Sequence, residues 1–332
     1  MPRSKRPIWG VPFMMAFALA CGLFAPSDEV HAQAYPDRPI KIIVGYPAGG
    51  TGDTIARMIG TNWSEAFGQP VVVENRPGAG STIAAAAVAR APADGYTMLL
   101  STSSDATISP IRMGDKAQYS PRDLAPVSLL VLVPSALTVP IKSPFKTPAE
   151  LIRYAKANPG KLSYASFGNG SSAHVAAEMF KSMTGIDAIH VPYKGSPDAV
   201  MALMAGDIDF FFDTLTSASP QAKAGRSRIL AVTTAGRVPL SPELPTMQEE
   251  GVKDFLSGSF IGISAPAGTP PAIIEKLQNQ MMRMSRTPAI GQKLADMGMV
   301  VQGSSAAEYR AFIADETSRI EKLVKDGKLS LQ

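Results

Sequence analysis

The stretch 40–57, reading I-K-I-I-V-G-Y-P-A-G-G-T-G-D-T-I-A-R, limits the fold more than any other part of the chain. It opens on the continuous apolar run Ile42, Ile43 and Val44, which suits a short strand buried on both faces. Tyr46, Pro47, Ala48, Gly49, Gly50, Thr51 and Gly52 follow, and so much glycine beside a proline excludes a regular element there. Asp53 is placed to cap a helix that begins with Ile55 and Ala56. Strand, Gly-rich loop and helix start together aim backbone amides and the positive end of a helix dipole at whatever rests on the loop, which favours an anion. The stretch therefore predicts one half of a carboxylate-binding cleft.

The rest of the chain repeats this plan. Residues 71–73 read as a second buried strand, 81–90 as an Ala-rich helix and 96–100 as a third strand, with Ser101 and Ser103 at its end. Strands alternating with helices predict an α/β fold with a mainly parallel sheet, and ligands on such sheets bind beyond the C-terminal ends of the strands. The loop 46–53 and the segment 101–105 are thus expected to line one wall. The apolar stretch 127–139, broken by Pro134, reads as a strand leaving the first domain. A second strand, Gly-rich loop and helix follow: residues 162–167 including Ser166, then Gly168, Asn169, Gly170, Ser171 and Ser172, then a helix over 173–183. Strand 189–193 ends at Tyr193 with Gly195 in the next loop, and strand 208–212 ends at Asp213. Residues 260–266 cross back, and 270–285 and 306–323 are amphipathic helices. Two facing anion sites joined by crossovers make a clamp, with residues 35–135 plus 260–332 in lobe 1 and residues 136–259 in lobe 2.

The remaining features mostly exclude functions. The net charge of +4 is scattered, without a Lys/Arg cluster interleaved with aromatics, so nucleic acid has no support as a partner. Arg3, Lys5 and Arg6, the largely apolar run 8–24, and Ala32-Gln33-Ala34 read as a secretory signal peptide over 1–34, cut to leave Tyr35 first. Ala18-Leu19-Ala20-Cys21 is a weaker rival, a lipoprotein box with Ala18 where the box usually has Leu. Cleavage after Ala34 removes the only Cys, leaving no disulfide or thiol chemistry. The motif Gly168-x-Gly170-x-x-Ala173 fits a dinucleotide fingerprint, but Lys194 stands past the next strand where a ribose-binding acid belongs, and Asp187 precedes that strand. Residues 49–52 lack the Lys-Ser/Thr of a P-loop, and no zinc motif or G-x-S-x-G occurs, so neither cofactor, metal nor catalytic residue is expected. His174 is placed at a pocket edge and His190 inside an apolar strand. Tyr46 and Tyr193 sit where they could close over a ligand. Asp213 could take a ligand amino or hydroxyl group or lock a neighbouring loop, and both roles stay open.

These residues resemble the tripartite tricarboxylate transporter substrate-binding receptors, also called the Bug family. The resemblance is carried by Tyr46-Pro47-Ala48-Gly49-Gly50-x-x-Asp53, by V-V-V-E-N-R-P-G-A-G over 71–80, by Asp94-Gly95-Tyr96-Thr97, by Gly168-Asn169-Gly170-Ser171-Ser172-x-His174, by V-P-Y-K-G over 191–195, and by Phe212-Asp213, in family order. It implies a type II periplasmic-binding-protein fold, two lobes hinged by crossover strands and closing on a small organic acid. It further implies that residues 46–51 hold the ligand carboxylate through amides and waters, and that Ser166 with residues 168–172 takes a second polar group, with Asp213 as the acidic pocket residue. The implied setting is a monomeric periplasmic receptor serving inner-membrane transporter subunits; the alternative is a ligand-sensing clamp for a two-component sensor. Three departures from the family pattern bear on ligand choice: Gly45 before Tyr46, Ser103-Ser104-Asp105-Ala106 after the third strand, and Phe167 where a small residue is usual.

Overall fold

One long strand joins two half-sheets. In the computed structural model, which describes residues 1–2, 35–239 and 241–331, the chain runs β1 (Ile40–Val44), α1 (Thr51–Phe67), β2 (Val71–Asn75), α2 (Thr82–Ala89), β3 (Thr97–Thr102), α3 (Ser109–Met113) and then β4 (Leu124–Pro140). It continues through α4 (Pro148–Ala157), β5 (Leu162–Ser166), α5 (Ser172–Thr184), β6 (Ala188–Pro192), α6 (Ser196–Ala205), β7 (Phe210–Thr214), α7 (Leu215–Lys223) and β8 (Ser227–Val232). It returns by β9 (Gly258–Pro266), α8 (Pro271–Arg286), α9 (Pro288–Asp296), β10 (Val300–Val301) and α10 (Ala306–Lys325). Apart from residues 1–2, the expected signal peptide lies outside the described residues.

The strand order is β2-β1-β3-β9-β4-β7-β5-β6, with β8 and β10 on β4. β1 pairs in parallel with β2 and β3, and β5 pairs in parallel with β6 and β7. Between these parallel sets run the antiparallel β9 and β4. β4 changes partner along its length: Leu124 to Pro134 face β9, and from Ser135 on it faces β7 and β8. Proline cannot donate to a ladder, and β4 carries its prolines where the ladder is broken. Pro126 sits at a register shift, and Pro134 is the last residue before the change of partner. The stretch expected to break at Pro134 is therefore one continuous strand.

Helix α1 shows how the sequence positions the loop ahead of it. Ile55, Ile59 and Trp63 recur every four residues and are fully buried, each contributing roughly 1.5–3 kcal/mol of apolar burial. Gly68 ends the helix in the left-handed conformation, φ 66°, and its amide returns to the Ser64 carbonyl. Two sequence expectations change. The run 71–73 forms an edge strand with Val72 49% exposed, not a strand buried on both faces. The helix cap position is Gly50, with Asp53 already inside the first turn. Thr214, the last residue of β7, caps α7, whose first turn holds Thr216 and Ser217 and whose interior carries Pro220. Among the described residues no helix is long and apolar enough to cross a membrane.

Candidate functional site

The C-terminal ends of β1, β3, β5, β6 and β7 converge on one cleft, as parallel strands dictate. Tyr46, Pro47, Gly50, Thr51 and Gly52 line it after β1, Thr102 at the end of β3, Phe167 and Ser172 after β5, Ser196 and Pro197 after β6, and Thr214 at the end of β7. The crossover strands supply the floor. Val133 and Ser259 are register partners there, and so are Ile261 and Thr102. The cleft holds about 510 Å³ of space between protein atoms, part of it open to solvent. No Lys, Arg, His, Asp or Glu is among its lining residues.

Positive potential comes instead from the backbone. The first turn of α1 has no side-chain cap, so its orphan amides, beside Thr51 and Gly52, remain available. Helices α5, α6 and α7 also begin at lining residues or next to them, at Ser172, Ser196 and Leu215. The Ser171 hydroxyl caps α5 by accepting from the His174 amide, and the Thr214 hydroxyl caps α7 by accepting from Ser217.

Asp53 holds the first loop. Its carboxylate accepts from the Gly49 amide at 3.0 Å, from Arg57 at 2.9 Å through both Nε and Nη2, and from Asn75 Nδ2 at 3.0 Å. Asn75 Nδ2 also reaches the Tyr46 carbonyl at 3.0 Å. Burial works to raise the Asp53 pKa, but the bonds from Arg57, Gly49 and Asn75 prevail and hold it below the usual carboxylate value. A carboxylate so fully engaged acts by fixing the loop.

A second carboxyl, Asp105, lies under the same wall. It accepts from the Ser101 hydroxyl at 2.7 Å and from the Thr102 hydroxyl at 2.8 Å, while Tyr46 Oη reaches Ser104 Oγ at 3.0 Å. Burial pushes Asp105 up to about 6, with those hydrogen bonds working the other way. Burial, with Asp105's charge second, also lifts the Tyr46 phenol to about 12. The third carboxyl, Asp213, accepts from Ser196 Oγ at 3.0 Å and the Thr214 amide at 2.8 Å. Burial raises it to about 7 against the opposing hydrogen bonds of Ser217, Ser196 and Thr214.

Of the residues singled out in the sequence, Tyr46, Gly50, Thr51 and Ser172 face the cleft. Ala48 and Gly49 are exposed on the outer part of the same loop. Ser101 does not line it while Thr102 does, because side chains alternate along a strand, and Ser103, past the end of β3 in helical conformation, does not line it either. Ser101 bonds Asp105, and Ser103 bonds Ser259 at 2.8 Å. Ser166 lies behind the second loop, bonded to His190 Nε2 at 2.6 Å and accepting from the Gly168 amide at 3.1 Å. His174 is buried beneath that loop, its Nδ1 accepting from the Gly170 amide at 3.3 Å and its ring stacked on His190 at 4.3 Å. Burial lowers the pKa of both histidines, that of His190 to about 4. Tyr193 packs in the apolar cluster of Phe167 and Phe211.

Asn169, Gly170 and Gly195 lie where the two half-sheets' loops touch. A Cβ on Gly195 would stand 2.6 Å from Pro47 Cδ, and one on Gly80 would stand 2.8 Å from the Asn169 carbonyl oxygen. A Cβ on Gly170 would stand 2.9 Å from Arg112 Nε. Thr51 Oγ1 and Thr214 Oγ1 also meet at 3.0 Å across the cleft. Ser171 is buried as the α5 cap, and Gly168 takes the positive φ of 112° that turns the chain there. The lining residues Val133, Ser196, Pro197, Ser259 and Ile261 were not picked from the sequence. Ser196 carried a signal, the first residue of a helix after a strand end, but the crossover residues carried none.

This architecture is shared with solved periplasmic binding proteins. Rpa4515 of R. palustris, solved with adipate, is 35% identical, with 89% of this chain and 99% of that chain covered and a TM-score of 0.86. MatC from Rhodopseudomonas palustris, solved with bound malate, is 29% identical over 87% of this chain and 100% of that chain, with a TM-score of 0.83. Fold and cleft thus define a periplasmic solute-binding protein of type II architecture, two lobes hinged by crossover strands. Residues 55–329 match the model described as the tripartite tricarboxylate transporter family receptor, and protein BugT of Bordetella pertussis is 35% identical over 317 residues, 95% of this chain and 96% of that protein. The chain belongs to the tripartite tricarboxylate transporter receptor family, whose members bind substrates and are not enzymes.

Proposed function

We propose that this receptor captures a small organic carboxylate between its lobes and delivers it to an inner-membrane transporter of the tripartite tricarboxylate type. The observation that carries the reading is the cation-free cleft at the uncapped start of α1, where backbone amides supply the only positive potential on the first wall. Asp53, Arg57 and Asn75 fix those amides in advance, so little ordering entropy is spent on binding. The solved relatives that hold adipate and malate support a carboxylate ligand. The lobes divide at 135/136 and 259/260, which agrees with β4 changing partner after Pro134 and with β9 beginning at Gly258. The expected ligand-contacting set is Tyr46, Gly50, Thr51 and Ser172, with Asp53, Ser166 and Asp213 holding the loops around it.

Closure must favour the bound state for delivery to be selective. The test is uptake of a labelled acid, chosen by its binding to the purified receptor, into cells with and without the gene. Uptake is expected to collapse on deletion and return with the wild-type gene. Unchanged uptake of an acid that binds tightly would remove the transport role.

A further inference from the structure

We infer that the cleft selects an acid with one carboxylate and an uncharged, largely apolar body, and that Phe167 enforces the choice; this rests on the receptor reading above. The lining divides into two chemistries. Pro47, Val133, Phe167, Pro197 and Ile261 are apolar, and apart from Gly50 and Gly52 every other residue there carries a hydroxyl. Full desolvation of an ionised carboxylate needs a cation or several donors.

Such donors are open at the first turn of α1 and also at that of α6, which likewise has no side-chain cap. On the opposite wall the starts of α6 and α7 already face a carboxyl of the protein, since Ser196 Oγ and the Thr214 amide both donate to Asp213. The Ser171 hydroxyl holds the first turn of α5. A second ligand carboxylate would therefore meet the Phe167 ring and donors that stand beside the buried Asp213 carboxyl. The nearby cation on the α1 side, Arg57, is turned outward and committed to Asp53. Phe167 cannot swing clear, because its ring is braced edge-on against Phe211 at 5.4 Å and 81° and its neighbours Ser166 and Gly168 are bonded to each other. Two solved relatives hold acids with two carboxylates, adipate and malate, so the preference separates this chain from them.

The test is titration calorimetry of the mature receptor, unfolded and refolded to strip carried ligand, with two matched pairs: hexanoate against adipate, and benzoate against terephthalate. In the pair that fits, the monoacid is expected to bind at least about tenfold tighter than its diacid. Phe167→Ser is expected to shrink that ratio to about threefold or less, because a hydroxyl and the water it admits can solvate the second charge. A diacid binding as tightly as its monoacid overturns the inference and leaves the receptor reading standing, as does an unchanged ratio in folded Phe167→Ser. Absence of binding by all four acids, when another dicarboxylate or tricarboxylate binds, also overturns the inference alone; absence of binding by every acid overturns both. The wild-type ratios decide the matter alone if Phe167→Ser does not fold.

Discussion

Replacing Gly195 by alanine is a direct test of closure. Gly195 follows β6, Pro47 follows β1, and the two loops touch across the cleft. The backbone at Gly195 is extended, φ −177°, so alanine adopts it without strain. The added Cβ, however, would lie 2.6 Å from Pro47 Cδ and 2.9 Å from Pro47 Cγ, where ordinary contact begins near 3.4 Å. The proline ring cannot rotate away, so the loops must part by several tenths of an ångström. Overpacking of this kind costs about 1–3 kcal/mol, which corresponds to roughly 5–150-fold in Kd. The cost is expected to fall on the form in which these loops touch and not on a form with the lobes apart. The ligand-free melting temperature is therefore expected to hold or to rise slightly, since alanine restricts the unfolded chain more than glycine does. Calorimetric Kd and ligand-free melting are to be measured together, with Gly236→Ala as control, because a Cβ at Gly236 meets nothing within 4 Å. An unchanged Kd, or a ligand-free destabilisation as large as the binding loss, would refute the reasoning.

Three further outcomes are expected. Asp53→Ala takes from the Gly49 amide and the Arg57 guanidinium their carboxylate acceptor and from Asn75 Nδ2 one of its two acceptors, and is expected to lower stability by about 1–3 kcal/mol and weaken ligand binding at least about tenfold, read by urea melts and calorimetry. Unaltered binding would mean that Asp53 does not organise the loop. Because burial raises Asp213 from 3.8 to about 7, its stabilising contribution is complete below about pH 4 and is lost as the pH rises to about 7. Asp213→Asn stays neutral, so its melting temperature is expected to gain on wild type across that window, the slopes that Asp105, His174 and His190 supply being common to both; parallel profiles would contradict this. Finally, N-terminal sequencing of the exported protein is expected to begin at Tyr35, and a lipid-modified Cys21 would overturn that assignment.

Much of the fold could be read in the sequence, because local signals agreed with one another. The run 42–44, the glycines that follow and Gly68 past the helix end each point to strand, loop and helix, and the structure places them so. What could not be read depended on information from elsewhere in the chain. The valines 71–73 look like a buried strand, but only the sheet order shows that they form an edge. The parity that puts Thr102 in the cleft and turns Ser101 away depends on β3 continuing to Thr102, two residues further than its apolar pattern. Val133 and Ile261 reach the cleft because two crossover strands pass between the lobes, and nothing local to either residue records that. The carboxyls of Asp53, Asp105 and Asp213 were visible as residues, but their work behind the walls became clear only from their hydrogen-bond partners.

The most direct measurement of the central claim is a thermal-shift screen of the refolded mature receptor against C4 to C6 dicarboxylates, citrate, acidic amino acids, simple monocarboxylates and benzoate- and phthalate-type acids. An acid present at about a hundred times its Kd stabilises by ~2.7 kcal/mol, a rise of several degrees for a chain of this size. The account predicts such a rise from one class of carboxylate, and a smaller rise at the same ligand concentration in Asp53→Ala, in step with its weaker binding. No rise from any carboxylate, with a clear rise from a cationic or neutral solute, would contradict it.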